Sequence, residues 1–482
     1  MPDASIALPT DDAEGTAPTG SVPARALVVG GGVTGLLAAR RLAQAGSRVT
    51  VLEAGDRLGG QVRSVDFAGR RCELGAEAVH LASPAVTALV RELGLEATMI
   101  RSNPGATWLA TRKGLRRLPQ GVGPTGPTQL MPVVRSGIVS VPGLARAALE
   151  PLVARRHRVE GDVSVGRFVR ERFGDEIADS FVDPMLGGLH SGDIDQLSLR
   201  AASPMLAAVA RDGRSLTLSV RTRKAGPSVA PSMFATWPQG LSTLTDHLLD
   251  GVDVDVRLSS PVASLRRTEQ GSYAVTTVSG EDHHADAVVL AVNAAVASRL
   301  LAGASPDAAS PLARVRSASL ASVLVALPAA EAQRCRPIAE GTGIMIPSRL
   351  GRRLKAATFL SSKWPQLAGG DTTLVRLSAG RDGSTIVDDH TDAELVDLLL
   401  ADLRELTGLG ARPVETRVHR WLDTAPQLVV GHQERLSAAR AALQRDLPGV
   451  VVAGASHDGA GISGCVTSAL QAVTTLTERP TR

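Results

Sequence analysis

The chain has 482 residues, 44% hydrophobic and 21% charged, which is soluble-protein composition and too long for one ordinary core, so two or three closely joined domains are expected. Lys+Arg (52) almost balance Asp+Glu (48), so the net charge of +4 creates no demand for nucleic acid or an anionic membrane. Cys72, Cys335 and Cys465 form no C-x-x-C pair, which argues against a metal site or a disulfide framework and for a reducing cytoplasm, and no apolar run reaches the roughly 18 residues of a membrane span.

Residues 1–23 lack the basic start and apolar stretch of a signal peptide and, being rich in Pro, Asp, Thr and Gly, read as a disordered tail. The pattern then changes at once. A short apolar strand over 26–29, helical spacing over 33–45 and a second strand over 49–52 ending in Glu53 make a βαβ half-unit. Residues 84–95 read as an amphipathic helix with a Gly stop. The stretch 115–240 is mostly helical in pattern, with clear helices over 165–173 and 177–186 and a Gly/Pro-rich loop over 121–132. The segment 130–152 is read as a buried helix in preference to one touching a lipid surface.

Alternation resumes over 252–256, 262–265 and 273–278, then a buried run over 287–292; these read as strands returning to the sheet of the βαβ unit. A β-rich part over 317–378 precedes a helix over 393–406. A last strand over 450–452 enters a Gly-rich turn and a final helix near 466–476. Segments of that sheet at the beginning, middle and end imply interleaved domains.

The strongest motif is Gly30-Gly31-Gly32-Val33-Thr34-Gly35, set between strand and helix, with Glu53 eighteen residues on. Gly30 permits the tight turn, Gly32 lets the backbone approach a pyrophosphate, and Gly35 lets helix and strand pack closely. The helix start offers its N–H groups to the phosphates, and Glu53 suits the ribose hydroxyls. Next come Glu53-Ala54-Gly55-Asp56-Arg57-Leu58-Gly59-Gly60 and Arg63, where Arg57 or Arg63 can meet phosphate or fix the loop. Gly75, Ala76, Glu77 and Ala78 form a small-residue turn that would admit a flavin ring. In the C-terminal glycine turn, the N–H groups of Gly461, Ile462 and Ser463 would polarise the flavin edge where negative charge develops.

With those blocks the chain resembles the FAD-dependent amine-oxidase superfamily, and within it the oxygen-dependent protoporphyrinogen/coproporphyrinogen oxidases of haem biosynthesis. The likeness spans about residues 25–476. It is carried outside the glycine motif by the stretches 182–193 and 197–201, 355–364, Arg420-Trp421, Gly431-His432 and 458–462. The resemblance implies an α/β fold in which a Rossmann-type FAD-binding domain (24–80, 238–300 and 422–482) is interleaved with a β-rich substrate domain (81–114 and 301–421) and a helical domain (115–237). It implies that Val262 and Trp421 join Gly30, Gly31, Gly32, Val33, Thr34, Gly35, Glu53, Ala54, Arg57, Gly75, Ala76, Glu77, Ala78, Gly461, Ile462 and Ser463 around FAD. The activity implied is oxidation of coproporphyrinogen III, or of protoporphyrinogen IX, with O2 as acceptor and H2O2 as product. The alternative is a diverged FAD amine or C–H oxidase, which the 2% aromatic content and the departures at Leu428, His457 and Ser463-Gly464 suggest.

No protein side chain is assigned as catalytic, and no metal is expected. On the tetrapyrrole side the candidates are Met185 and Phe359 for packing, His190 and His457 as cavity residues, and the basic stretch Arg349, Arg352, Arg353 and Lys355, with Arg376, for anionic propionates.

Overall fold

The computed structural model describes residues 22–154, 158–221 and 232–478. Of the tail expected over 1–23, residues 1–21 lie outside them.

The first half-unit forms as expected: β1 (Arg25–Val29), α1 (Val33–Gln44) and β2 (Arg48–Leu52). Four of the five β1 residues are buried, as a parallel strand covered on both faces requires. Helix α1 buries Leu36, Leu37, Ala39 and Leu42, and Gly46 at φ +101° turns the chain back toward β2. Three later strands complete the sheet: β3 (Val254–Arg257), β4 (Ala287–Leu290) and β5 (Val450–Val452), in the order β3-β2-β1-β4-β5, all parallel. The C-terminal helix α2 (Gly461–Thr477) packs on α1, sharing a core of Leu36, Leu37, Val466, Ala469 and Val473.

The strands Val262–Arg267 and Tyr273–Thr277 do not return to that sheet, contrary to expectation. With Asp282–Ala285 they make a separate antiparallel sheet. Their connections are too short for the crossover that parallel pairing needs.

A second large sheet has seven strands, in the order Glu415–Pro426, Ser317–Pro328, Thr372–Ala379, Ala356–Phe359, Gly341–Met345, Ala106–Thr111 and Gly114–Arg117. Strand alternation divides its residues. Val323, Val325, Phe359, Val375 and Leu377 pack toward Leu395, Leu399 and Leu403 of the helix Asp392–Thr407, while Ser322, Thr358, Arg376 and Ser378 face a cleft.

The helical part departs from the sequence reading in three places. The loop expected over 121–132 contains a minimal hairpin, Val122–Gly123 with Gly126–Pro127, and the start of the helix Leu130–Ser136. The buried helix expected over 130–152 is instead three short helices, Leu130–Ser136, Val141–Ala148 and Glu150–Ala154, that leave Met131, Val141 and Leu152 exposed. The helix expected over 177–186 is a π-helix, Ala178–Gly187, enclosing Pro184. Proline has no N–H to give and its ring crowds the carbonyl four residues back, so a wider turn relieves the conflict.

A fully buried pair anchors this part: Arg172 meets Glu150 at 3.3 Å, and Glu150 also accepts from Ser215 Oγ at 2.5 Å and Thr217 Oγ1 at 2.7 Å. Among the described residues no helix is long and apolar enough to cross a membrane.

Candidate active site

The glycine motif folds into a cradle. Gly30 stands at φ +106°, where a Cβ would lie 2.5 Å from the Ala291 carbonyl oxygen, and a Cβ on Gly35 would come within 1.9 Å of the Gly30 oxygen. Val33 and Thr34 are buried at the start of α1. The second glycine turn lies opposite, with the Gly59 N–H donating to the Gly31 oxygen at 2.8 Å. At Gly32 the space stays open: a Cβ there would meet only the Gly60 Cα, at 3.9 Å. The α1 N-terminus has no side-chain cap and no acidic residue in its first turn, so its free N–H groups and positive dipole end face that space. This fits a pyrophosphate.

Glu53 holds the cradle's outer edge, accepting from the Gly31 N–H at 2.6 Å and the Gly55 N–H at 2.7 Å. Ala54 beside it is exposed. The Glu53 carbonyl accepts from the Ser260 N–H at 2.8 Å, which brings the start of the Val262–Arg267 strand, and so Val262, to the same edge. Of the two roles open to Arg57, the structure supplies loop fixation. Its guanidinium donates to the carbonyls of Leu58 at 2.9 Å, Gly60 at 2.6 Å and Val62 at 3.1 Å.

The turn 75–78 is brought against Trp421. A Cβ on Gly75 would lie 2.0 Å from the Gln61 oxygen and 2.9 Å from the Trp421 ring, whose Nε1 donates to the Leu74 carbonyl at 3.0 Å. The Ala76 N–H donates to the Gln61 carbonyl at 3.1 Å, and Ala78 packs beside Phe67 and Trp364. Glu77 is buried but well compensated, by Lys363 Nζ at 2.5 Å, Trp364 Nε1 at 2.8 Å and an ion pair with Arg376. Burial opposes its ionisation, but the two cations prevail and hold its carboxyl down at about 2.

At the C-terminal end, Gly461, Ile462 and Ser463 form the first turn of α2, whose N–H groups have no partners within the helix. A Cβ on Gly461, at φ +82°, would meet nothing within 4 Å. Helix α2 also packs against Val79–His80, directly after the turn 75–78, so beginning and end of the chain converge.

Between the turn and the second sheet lies a solvent-open cleft with about 1030 Å³ of atom-free space, lined by Gly75, Glu77, Leu189, Ser322, Lys355 and Arg376 among others. Of the tetrapyrrole-side candidates, Arg376 is here, and so is Lys355. Its Nζ donates to Ser191 Oγ at 2.5 Å, and burial with Arg381 and Arg376 nearby pushes its ammonium down to about 7.

Phe359 is not. It is one residue out of phase with Thr358 and belongs to the opposite core. Arg352 turns away to Asp402 and Glu405, Arg349 is held by Ser180 and Asp179, and Arg353 is exposed. Met185 is half-buried in the π-helix and outside the cleft lining. His190 and His457 are buried outside that lining too, and burial lowers both imidazoles, His457 to about 4.

Sequence reading missed Ser322, Leu189 and Ser191. Ser322 carries a buried hydroxyl with no partner among the described residues, on the cleft face of the sheet. A serine interrupting the apolar run of the Ser317–Pro328 strand was its only signal. The open cradle, this unmet hydroxyl and the clear space at Gly461 together fit a dinucleotide whose ring reaches the cleft.

Comparison with known proteins agrees with a flavoprotein fold. Residues 33–477 match the family described as flavin containing amine oxidoreductase. A coproporphyrinogen III oxidase of Bacillus subtilis (strain 168) is 30% identical over 461 residues, covering 93% of this chain and 96% of the relative. One of Mycobacterium tuberculosis (strain ATCC 25618 / H37Rv) is 34% identical over 456 residues, covering 94% and 97%. A crystal structure described provisionally as a protoporphyrinogen oxidase, from Exiguobacterium sp. 255-15, superposes with a TM-score of 0.83 at 29% identity, covering 94% of this chain and 98% of that one. The chain therefore belongs to the flavin containing amine oxidoreductase family and is an FAD-dependent oxidoreductase.

Proposed function

We propose that the protein oxidises coproporphyrinogen III to coproporphyrin III in haem biosynthesis, in the cytoplasm, with O2 as acceptor. Likeness over nearly the whole chain to relatives bearing that name supports the reading. The observation that carries it is the cleft itself. A space open to solvent, walled by the small-residue turn 75–78 on one side and a half-polar sheet face on the other, suits a large, flat, acidic ligand.

When bound, FAD would supply a two-electron hydride acceptor that O2 regenerates, so the six electrons of the oxidation would leave in three rounds and three O2 would become three H2O2. The chain's own residues do the positioning. Gly30 to Gly35 and Glu53 would hold the dinucleotide, and Val262 would lie along its adenosine end. Gly75 and Ala76 keep large side chains out of the cleft wall, Trp421 lines that wall beside Gly75, and the α2 N-terminus would offer N–H dipoles to developing negative charge. Electron-rich pyrrole nitrogens in the substrate promote hydride departure, so no protein base is required. In this reading 24–80, 238–300 and 422–482 form the FAD-binding domain, 81–114 and 301–421 the substrate domain, and 115–237 the helical domain.

Anaerobic mixing with coproporphyrinogen III tests the proposal. Flavin absorbance is expected to bleach, and porphyrin fluorescence to appear on admitting air. Faster bleaching by protoporphyrinogen IX would reassign the substrate, and bleaching by amines alone would replace the reading with the amine-oxidase one.

A further inference from the structure

Two cations line the cleft, and their charges are met differently. Arg376 is paired with Glu77. Lys355 has only a serine: its side chain is buried, its Nζ donates to Ser191 Oγ, and no carboxylate among the described residues pairs with it. A buried ammonium without a counter-ion is costly, so its retention at a ligand cavity points to an anion supplied from outside.

The surroundings support that reading. Ser191 sits at φ +52°, a conformation serine rarely adopts, and its carbonyl accepts from the Asp382 N–H at 2.7 Å. The backbone therefore fixes the hydroxyl that receives Lys355. Arg381, a second, half-buried cation nearby, has a buried Nη1 without a partner among the described residues. The acids around are engaged elsewhere: Asp183 accepts from Ser348 N at 2.7 Å, Asp382 pairs with Arg316 at 3.0 Å, and Glu77 is shared between Lys363 and Arg376. On the same face the unmet Ser322 hydroxyl lies in register with Ser378, whose carbonyl accepts from the Lys355 N–H at 2.8 Å, so a polar strip on two strands leads to Lys355.

We propose that Lys355, docked on Ser191, is a carboxylate anchor that takes one acidic side arm of the ligand and selects carboxylate-bearing rings over neutral ones. The inference rests on the porphyrinogen reading only in naming that arm a propionate. The lowered ammonium is consistent with it, because an arriving carboxylate draws a proton onto the amine.

The holoenzyme, Lys355→Met, Lys355→Arg and Ser191→Gly are titrated with coproporphyrin III and with its tetramethyl ester. The unaltered protein is expected to prefer the acid by about tenfold or more, a charge-assisted contact's worth. Lys355→Met should lose most of that preference, Lys355→Arg should keep part of it, and Ser191→Gly should fall between. An unchanged preference in flavin-loaded Lys355→Met overturns the anchor. Glutarate, followed by flavin absorbance, separates the two proposals. If no porphyrin binds but glutarate perturbs the unaltered protein and not Lys355→Met, the substrate reading falls and the anchor stands. No Lys355-dependent response to either probe overturns it. Flavin content and melting temperature report folding, and Lys355→Arg with Ser191→Gly carry the comparison should Lys355→Met not fold.

Discussion

Alanine at Gly32 and at Gly35 removes the same hydrogen but meets different neighbours. At Gly35 the new methyl lies 1.9 Å from a backbone oxygen, so α1 must shift from β1. Loss of both flavin and several degrees of melting temperature is expected, read by absorbance ratio and thermal unfolding. At Gly32 the methyl enters open space, so Gly32→Ala should melt like the unaltered apoprotein yet bind FAD at least about tenfold more weakly, if pyrophosphate occupies that space. Normal FAD affinity in Gly32→Ala would remove the cradle from the site. Glu77 offers a third test: Glu77→Gln leaves the half-buried cations Lys363 and Arg376 without a counter-ion and is expected to cost about 1–3 kcal/mol in urea unfolding.

Titration at single residues sets the pH range of stability. The Glu77 carboxyl lies near 2 against an ordinary 4.5, so its contribution is present above 4.5 and is lost as pH falls toward 2. His457 lies near 4 against 6.5, so the unfolded chain binds the proton first and stability falls below 6.5. Glu73, buried beneath Ser64 and the Leu241 N–H, is raised to about 7, so its neutral form is favoured and stability is lost as pH rises from 4.5 through 7. Between 4.5 and 6.5 the His457 and Glu73 contributions therefore oppose each other, the melting temperature should fall below about 4.5 as Glu77 is protonated, and Glu73→Gln should leave a rise with pH across 4.5–6.5 that the unaltered protein lacks. An unchanged profile in that variant would remove Glu73 from the balance.

Among the elements, the π-helix Ala178–Gly187 is tied to the second sheet by Asp183, which accepts from both the N–H and the hydroxyl of Ser348, at 2.7 and 2.9 Å. Asp183→Ala removes both bonds from Ser348, an exposed residue that can turn to water instead, and is expected to cost about 0.5–1.5 kcal/mol, while flavin content stays normal. Urea unfolding and absorbance together check it. The π-turn itself was hidden from sequence, because Pro184 inside an apolar run reads equally as a kink or an end. The βαβ unit, by contrast, was legible because its signals are local: apolar strand, three glycines, amphipathic helix, acidic tip. The cleft face was not. Whether Thr358 or Phe359 points into it depends on pairing with Arg376 and Val375, a register that no spacing within 355–364 reveals. Lys355 was found by its charge. Ser322 escaped because an unmet hydroxyl shows only once its neighbours are in place.

For the molecule as a whole, FAD contributes to stability only as a ligand of the folded state. Apoprotein given FAD at about 100 times its Kd is expected to gain about 2.7 kcal/mol, measured by unfolding at several FAD concentrations. A stability independent of FAD would mean that the glycine cradle is not its site. The interleaving of segments was inferable from the position of the strand patterns, whereas the separate sheet of Val262–Ala285 was not, since hairpin and crossover strands look alike one at a time.

The parallel sheet takes its edge strand β5 from residues 450–452, and α2, which covers α1, ends at 477. A ribosome finishing this protein has thus emitted the dinucleotide motif some four hundred residues before the helix that shields it is made. Until then the inner face of α1, Leu36 and Leu37 included, lacks that cover, which leaves apolar surface open to aggregation. Messages truncated late in the reading frame should accordingly yield aggregated, flavin-free product, not a shortened enzyme.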